Sequence, residues 1–132
     1  MSAKQRPPDD PIEWLNRARS NLLQSQARLE GVYLEDLAFA AQQAAEKAIK
    51  AVLIHLGVEF PYTHDLTALL TLVQQQGFSV PREVAQAGRL TRHAVIARYP
   101  GLGEPVTEEE YAEAVTIAEG VVQWAQSIVA GQ

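Results

Sequence analysis

Apolar residues return at intervals of three and four along most of the chain, and no stretch alternates strictly as a half-buried strand would. The first such stretch opens at Asp10-Pro11-Ile12-Glu13, which supplies a capping acceptor, a proline for the first turn and an early acid. Leu15, Ala18, Leu22 and Leu29 then form one stripe, predicting a first helix over about residues 11 to 30 that ends at Gly31. From 35 to about 56 there is neither glycine nor proline, and alanine is abundant. Leu37, Ala41, Ala44, Ala48 and Val52 give this second helix a stripe of mostly small side chains, which lets a neighbour approach closely. It belongs at the centre of the fold or at a subunit interface, with Gly57 as its stop.

A loop carrying EFPYTHDL leads into a third helix over about 65 to 76, with Thr63 as its expected cap and Gly77 as its end. Ser79 and Pro81 open a fourth, with Val84, Leu90, Ala94 and Val95 as its apolar positions. Pro100, Gly101, Gly103 and Pro105 interrupt the pattern. Thr107 followed by Glu108, Glu109 and Glu110 is a capping box whose acids suit the positive end of a helix. Tyr111, Ala114, Ala118, Val121, Ala125 and Ile128 carry the last helix to the end of the chain. Short connections between long helices predict an all-α, up-and-down bundle of four to five antiparallel helices. Residues 1–10, with Pro7, Pro8, Asp9 and Asp10, read as a disordered leader, and 11–130 as one domain.

Composition narrows the function. A formal net charge of −5 argues against general adhesion to nucleic acid, so any polyanion site must be local. The chain has no cysteine, which removes disulfides and thiolate metal sites and fits the cytoplasm. No signal-peptide core and no membrane-length apolar run is present. His55, His64 and His93 fall in three different elements without the spacing of a helical metal site, and no cofactor motif or glycine-rich phosphate loop occurs. His55 reads as structural, whereas His64 either bonds the first turn of the third helix or faces a cleft.

The exception to the acidic balance is RLTRHAVIARYP, residues 89–100. On a continuous helix at about 100° per residue, Arg89, Arg92, His93 and Ile96 share one face. Guanidinium forks match phosphate oxygens, and a neighbouring imidazole can move protons. The same residues also make a solvated basic face for the chain's excess acids, which is the simpler reading of the residue chemistry. On the second helix Lys47 flanks the small-residue stripe, and Lys50 is expected to face solvent.

QQAAEKAIKAVLIHLG, THDLTALL, RLTRHAVIARYP and TEEEYAEAVTIAE resemble, in order and spacing, the small stand-alone HEPN domains (higher eukaryote and prokaryote nucleotide-binding) over about residues 11 to 130. The most specific pieces are AAEKA at 44–48, THDL at 63–66 and RYP at 98–100. The resemblance implies a helical bundle that forms a homodimer, with a cleft associated with nucleotide or RNA binding. It also implies a minimal nucleotidyltransferase partner, as in two-component toxin–antitoxin pairs. Other members are metal-independent ribonucleases that carry arginine, four to six residues, then histidine. This chain departs from that spacing: Arg89 and His93 are separated by three residues, and Arg92 and His93 are adjacent. Gly101 also stands where many relatives have an aspartate.

The motif match carries over Lys47, His64, Arg98 and Tyr99 as nucleotide- or phosphate-binding positions, with Tyr99 stacking on a base or anchoring its loop. Three readings result: a non-catalytic binding module, which ranks first; a ribonuclease toxin using Arg89 or Arg92 with His93; and a purely structural interaction protein. In the last, Glu46, His64 and Arg98 would form an internal network instead of a site.

Overall fold

The computed structural model describes residues 9–98 and 104–131, with side chains at all of these but 97 and 98. Tyr99, Gly101, the side chain of Arg98 and the first eight residues of the expected leader lie outside the described residues. Among the described residues six helices follow in order: α1 (Pro11–Gln26), α2 (Leu34–His55), α3 (Leu66–Gln75), the single turn α4 (Arg82–Ala85), α5 (Thr91–Arg98) and α6 (Glu108–Val129). A 3-10 segment, Gln86–Leu90, joins α4 to α5, and no strand occurs among the described residues. The protein is an all-helical bundle.

α2 is its axis. The small residues Ala38, Ala41, Ala44, Ala45, Ala48 and Ala51 are fully buried on several sides of it, with Ile49, Val52 and Leu53 between them. Short side chains let α1 and α6 pack closely against it, and α3 and α5 also contact it. The central position expected for the small-residue stripe is realised within one chain. α6 faces it with Ala114, Ala118, Val121 and Ala125. Its capping box is complete: Thr107 Oγ1 accepts from the Glu110 amide and Glu110 Oε1 accepts from the Thr107 amide.

Two helix boundaries differ from those expected. α1 stops at Gln26, short of Gly31, and Leu29 is left exposed instead of continuing the buried stripe. The Ser25 carbonyl, which a longer helix would offer to the Leu29 amide, accepts instead from the buried Tyr111 hydroxyl at 2.5 Å. Thr63 does not cap α3. It accepts from the Asp65 amide, while Asp65 Oδ1 accepts from Ala68 N. Thr91 at the start of α5 completes this end, its Oγ1 accepting from the Leu66 amide at 3.3 Å.

The predicted fourth helix is three pieces rather than one. Gly88 passes so close to α3 that a Cβ there would lie 2.2 Å from Thr67 Oγ1, so the chain packs through its backbone at that point. The tighter 3-10 winding rotates the residues after it. Val84, Leu90 and Ala94 remain buried, but Val95 turns outward.

The Tyr111–Ser25 bond makes a direct prediction. Tyr111→Phe leaves a buried carbonyl unpaired and should lower unfolding free energy by about 1–3 kcal/mol, read from urea denaturation followed by helical circular dichroism.

Candidate functional site

Glu46 lies in the middle of α2, almost wholly buried. An ionised carboxylate at that depth must have its acceptor capacity filled, and three neighbouring groups do this. Oε1 accepts from Gln42 Nε2 at 2.9 Å and from His64 Nδ1 at 2.7 Å, and Oε2 accepts from Lys50 Nζ at 3.0 Å. Gln43 in turn donates to Gln42 Oε1 at 2.7 Å. Burial alone would raise the Glu46 pKa and is the strongest single influence on it. The hydrogen bonds from His64, Gln42 and Lys50, with the Lys50 charge, together outweigh burial and hold it below the ordinary 4.5. Since a carboxylate can only accept, Nδ1 of His64 carries the proton.

Lys50 does not face solvent as its position on the helix suggested; it is 6% exposed. The reason is a mixed enclosure. Besides Glu46, its ammonium lies 5.8 Å from the Trp14 ring centroid, 5.6 Å from that of Phe60 and 5.8 Å from that of Tyr62. Trp14 comes from α1, and the two other rings come from the loop before α3. One buried cation therefore ties that loop to the bundle. His64 meets Tyr62 edge-on, with centroids 5.7 Å apart.

One helical turn before Lys50, Lys47 is half-buried against α1, and its Nζ donates to Asn21 Oδ1 at 2.7 Å. Its pKa is lowered, first by burial and then by the charges of Arg17 and Lys50, with Glu46 opposing. Among the described residues no carboxylate lies within ion-pair distance of it. Arg17, by contrast, pairs with Glu13 on its own helix.

The arginines of the 89–100 stretch have a different setting. Arg89 and Arg92 line one shallow groove with Glu109, Glu110 and Glu113 of α6. Arg89 pairs with Glu113 at 3.2 Å and Arg92 with Glu110 at 2.5 Å. Three carboxylates against two guanidiniums leave this groove acidic. His93 does not share the arginines' face: adjacent to Arg92 on α5 and about 100° round the helix from it, it turns inward. It is 3% exposed, and its Nδ1 has no hydrogen-bond partner among the described residues. Burial foremost, and then the Arg92 charge, push its pKa down to about 4, with Glu110 opposing. The imidazole is thus neutral at physiological pH. His55 is exposed in the last turn of α2, where a partial negative charge from the helix end meets it.

The structure therefore brings His64 and Lys47 to the same half of α2, on either side of the Glu46–Lys50 pair, and leaves Arg89 and Arg92 on another surface. Sequence reasoning missed Tyr62, Trp14, Phe60 and Arg17. The first three stand on α1 and a loop, and no local period relates them. No group of three or more histidine, aspartate or glutamate side chains suited to a metal ion occurs among the described residues, and no described helix is long and apolar enough to cross a membrane.

Comparison with known proteins agrees with this architecture. Residues 12–128 match the HEPN domain. The chain belongs to the HEPN family. Its fold is similar to the crystal structure of TT1696 from Thermus thermophilus, with a TM-score of 0.76 and 30% identity over 89% of this chain and 96% of that one. It is also similar to ST0689, an archaeal HEPN homologue, with a TM-score of 0.72 and 27% identity over 91% of this chain and 98% of that one. An HEPN domain protein from Thermotoga maritima shares the fold at a TM-score of 0.68 and 24% identity, over 89% and 97% of the two chains. No curated protein matches the sequence.

Two outcomes are expected from the buried groups. Glu46→Leu strands the Lys50 ammonium and should destabilise the fold by about 3–5 kcal/mol, whereas Glu46→Leu combined with Lys50→Met should recover at least half of that loss in urea titrations. His93 resists protonation when folded but not when unfolded. Its contribution is complete above about 6.5 and fades as pH falls toward about 4. That fall should amount to about 2–3 kcal/mol in denaturation midpoints taken across this window, and His93→Leu should flatten it.

Proposed function

We propose that this HEPN-domain protein is a non-catalytic module that binds a nucleotide or another phosphate-bearing ligand. It would act as a homodimer beside a minimal nucleotidyltransferase, as one half of a toxin–antitoxin-type pair. The observation that carries the binding reading is Lys47: a half-buried ammonium, paired with a neutral amide and set among other cations, in a chain of net charge −5. Desolvated positive charge without a carboxylate is stabilised by an anionic ligand, and phosphate supplies the charge and the acceptors. His64, held by Glu46, is the second member of the site. Arg98 and Tyr99 are its remaining members by motif, contributing a bidentate phosphate contact and a stacking or loop-anchoring ring.

Binding is favoured over ribonuclease chemistry by His93. A general base or acid must reach the solvent-borne substrate and titrate near the working pH. His93 is buried and stays neutral down to about 4, and Arg89 and Arg92 are engaged by Glu113 and Glu110. Leu23, Leu29, Val32 and Tyr33, exposed around the α1–α2 connection, support self-association over a lone protomer.

Titration of ATP, GTP and short RNA against the wild type, Lys47→Ala and Arg98→Ala tests the reading. Saturable binding by the wild-type dimer, weakened at least several-fold in each variant, is expected, with RNA left intact in metal-free buffer. Absence of binding in all three proteins removes the reading, and RNA cleavage that His93→Ala abolishes replaces it with the enzyme.

A further inference from the structure

The segment between α2 and α3 is fixed at both ends. At one end the Val58 amide donates to the Leu53 carbonyl at 2.9 Å, closing α2 around Gly57, whose φ of 71° suits a residue without a side chain. At the other, Asp65 caps α3 by accepting from the Ala68 amide at 3.2 Å. Residues 59–64 lie between these two caps, and among the described residues they make no backbone–backbone hydrogen bond. Side chains hold them to the bundle instead. Phe60, which also packs against the core, and Tyr62 set their rings against the Lys50 ammonium at 5.6 and 5.8 Å, and His64 Nδ1 donates to Glu46 at 2.7 Å.

These three contacts end on one ion pair of α2, in which Lys50 Nζ lies 3.0 Å from Glu46 Oε2. Both side chains are almost wholly buried. Lifting the segment would hydrate the two charges and weaken their attraction, and closing it removes the water and strengthens that attraction. A segment part-way up keeps neither the ring contacts nor full hydration of the ammonium, so closed and open are the two favoured positions. Because the caps lie outside residues 59–64, neither helix has to move between them.

We infer that residues 59–64 are a strap that lifts as a unit from the Glu46–Lys50 pair while α2 and α3 stay folded, with Lys50 as its latch. Closed, the strap keeps water and solutes from the polar cluster of α2; open, it exposes that cluster. The motion belongs to the chain itself and does not depend on a bound ligand.

The test is limited proteolysis by chymotrypsin, with the Tyr62–Thr63 cut identified by mass spectrometry and its rate measured at urea concentrations below the unfolding transition. A protease needs several residues drawn out of the fold, so the rate follows the open population. The wild type should be cut at a rate nearly independent of urea, because a small opening exposes little surface. Val121→Ala, which thins the buried core on α6, should unfold at lower urea and still be cut at the wild-type rate. Glu46→Gln with Lys50→Met removes both charges and keeps an acceptor for His64; it should be cut about 5- to 30-fold faster, and Phe60→Leu about 2- to 5-fold faster. A rate that climbs in step with global unfolding and with Val121→Ala would overturn the strap. A rate that neither the charge-free double variant nor Phe60→Leu moves would overturn Lys50 as its latch.

Discussion

The ionised carboxylate of Glu46, buried on the central helix, is the constraint around which the rest of this protein is arranged. It is stable there only because Gln42, His64 and Lys50 converge on its two oxygens. His64 and Lys50 each do a second thing. His64 fixes the loop that leads into α3, and Lys50 gathers aromatic rings from α1 and from that loop. The ion pair contributes position more than stability, since a buried pair roughly offsets its own desolvation. It secures one arrangement of the α2–α3 loop over the α1–α2 seam.

That arrangement sorts the cations of an acidic chain into two kinds. Arg17, Arg28, Arg89 and Arg92 each meet a glutamate, and the pairs made by the last three lie at the surface, where such contacts add little. Lys47 meets an amide. The difference is physical: surface guanidiniums reach the abundant acids of α6, whereas the half-buried Lys47 side chain has no carboxylate within ion-pair distance among the described residues. Arg89 and Arg92, the described arginines of the cluster most conspicuous in the sequence, are therefore already engaged by acids of α6, whereas Lys47, inside an alanine-rich run, has no such partner among the described residues.

The fold was largely legible in the sequence. Alanine spacing in 37–52 marked the axis, and the Thr107–Glu110 box marked the start of α6 to the residue. The features that escaped were effects of contact. Nothing local announces that Tyr111 would take the Ser25 carbonyl and end α1, or that Gly88 would press against Thr67 and wind the fourth segment more tightly. His93, one residue and about 100° beyond Arg92 on α5, turns into the core while Arg89 and Arg92 face the groove against α6. Of the polar cluster on α2, Lys47 and His64 were picked out by the AAEKA and THDL motifs as candidate binding positions. The burial of Lys50 was not, because helical position alone cannot register aromatic rings arriving from a loop and another helix.

The charge state of the Glu46 carboxyl group in the folded protein decides between a central buried anion and a neutral acid. Carbon-13 NMR of that carboxyl carbon as a function of pH, with the nitrogen-15 signals of His64, measures it. The predicted result is titration below 4.5 with a persistent proton on His64 Nδ1. Titration of Glu46 at or above that value, or an unprotonated Nδ1, would contradict it.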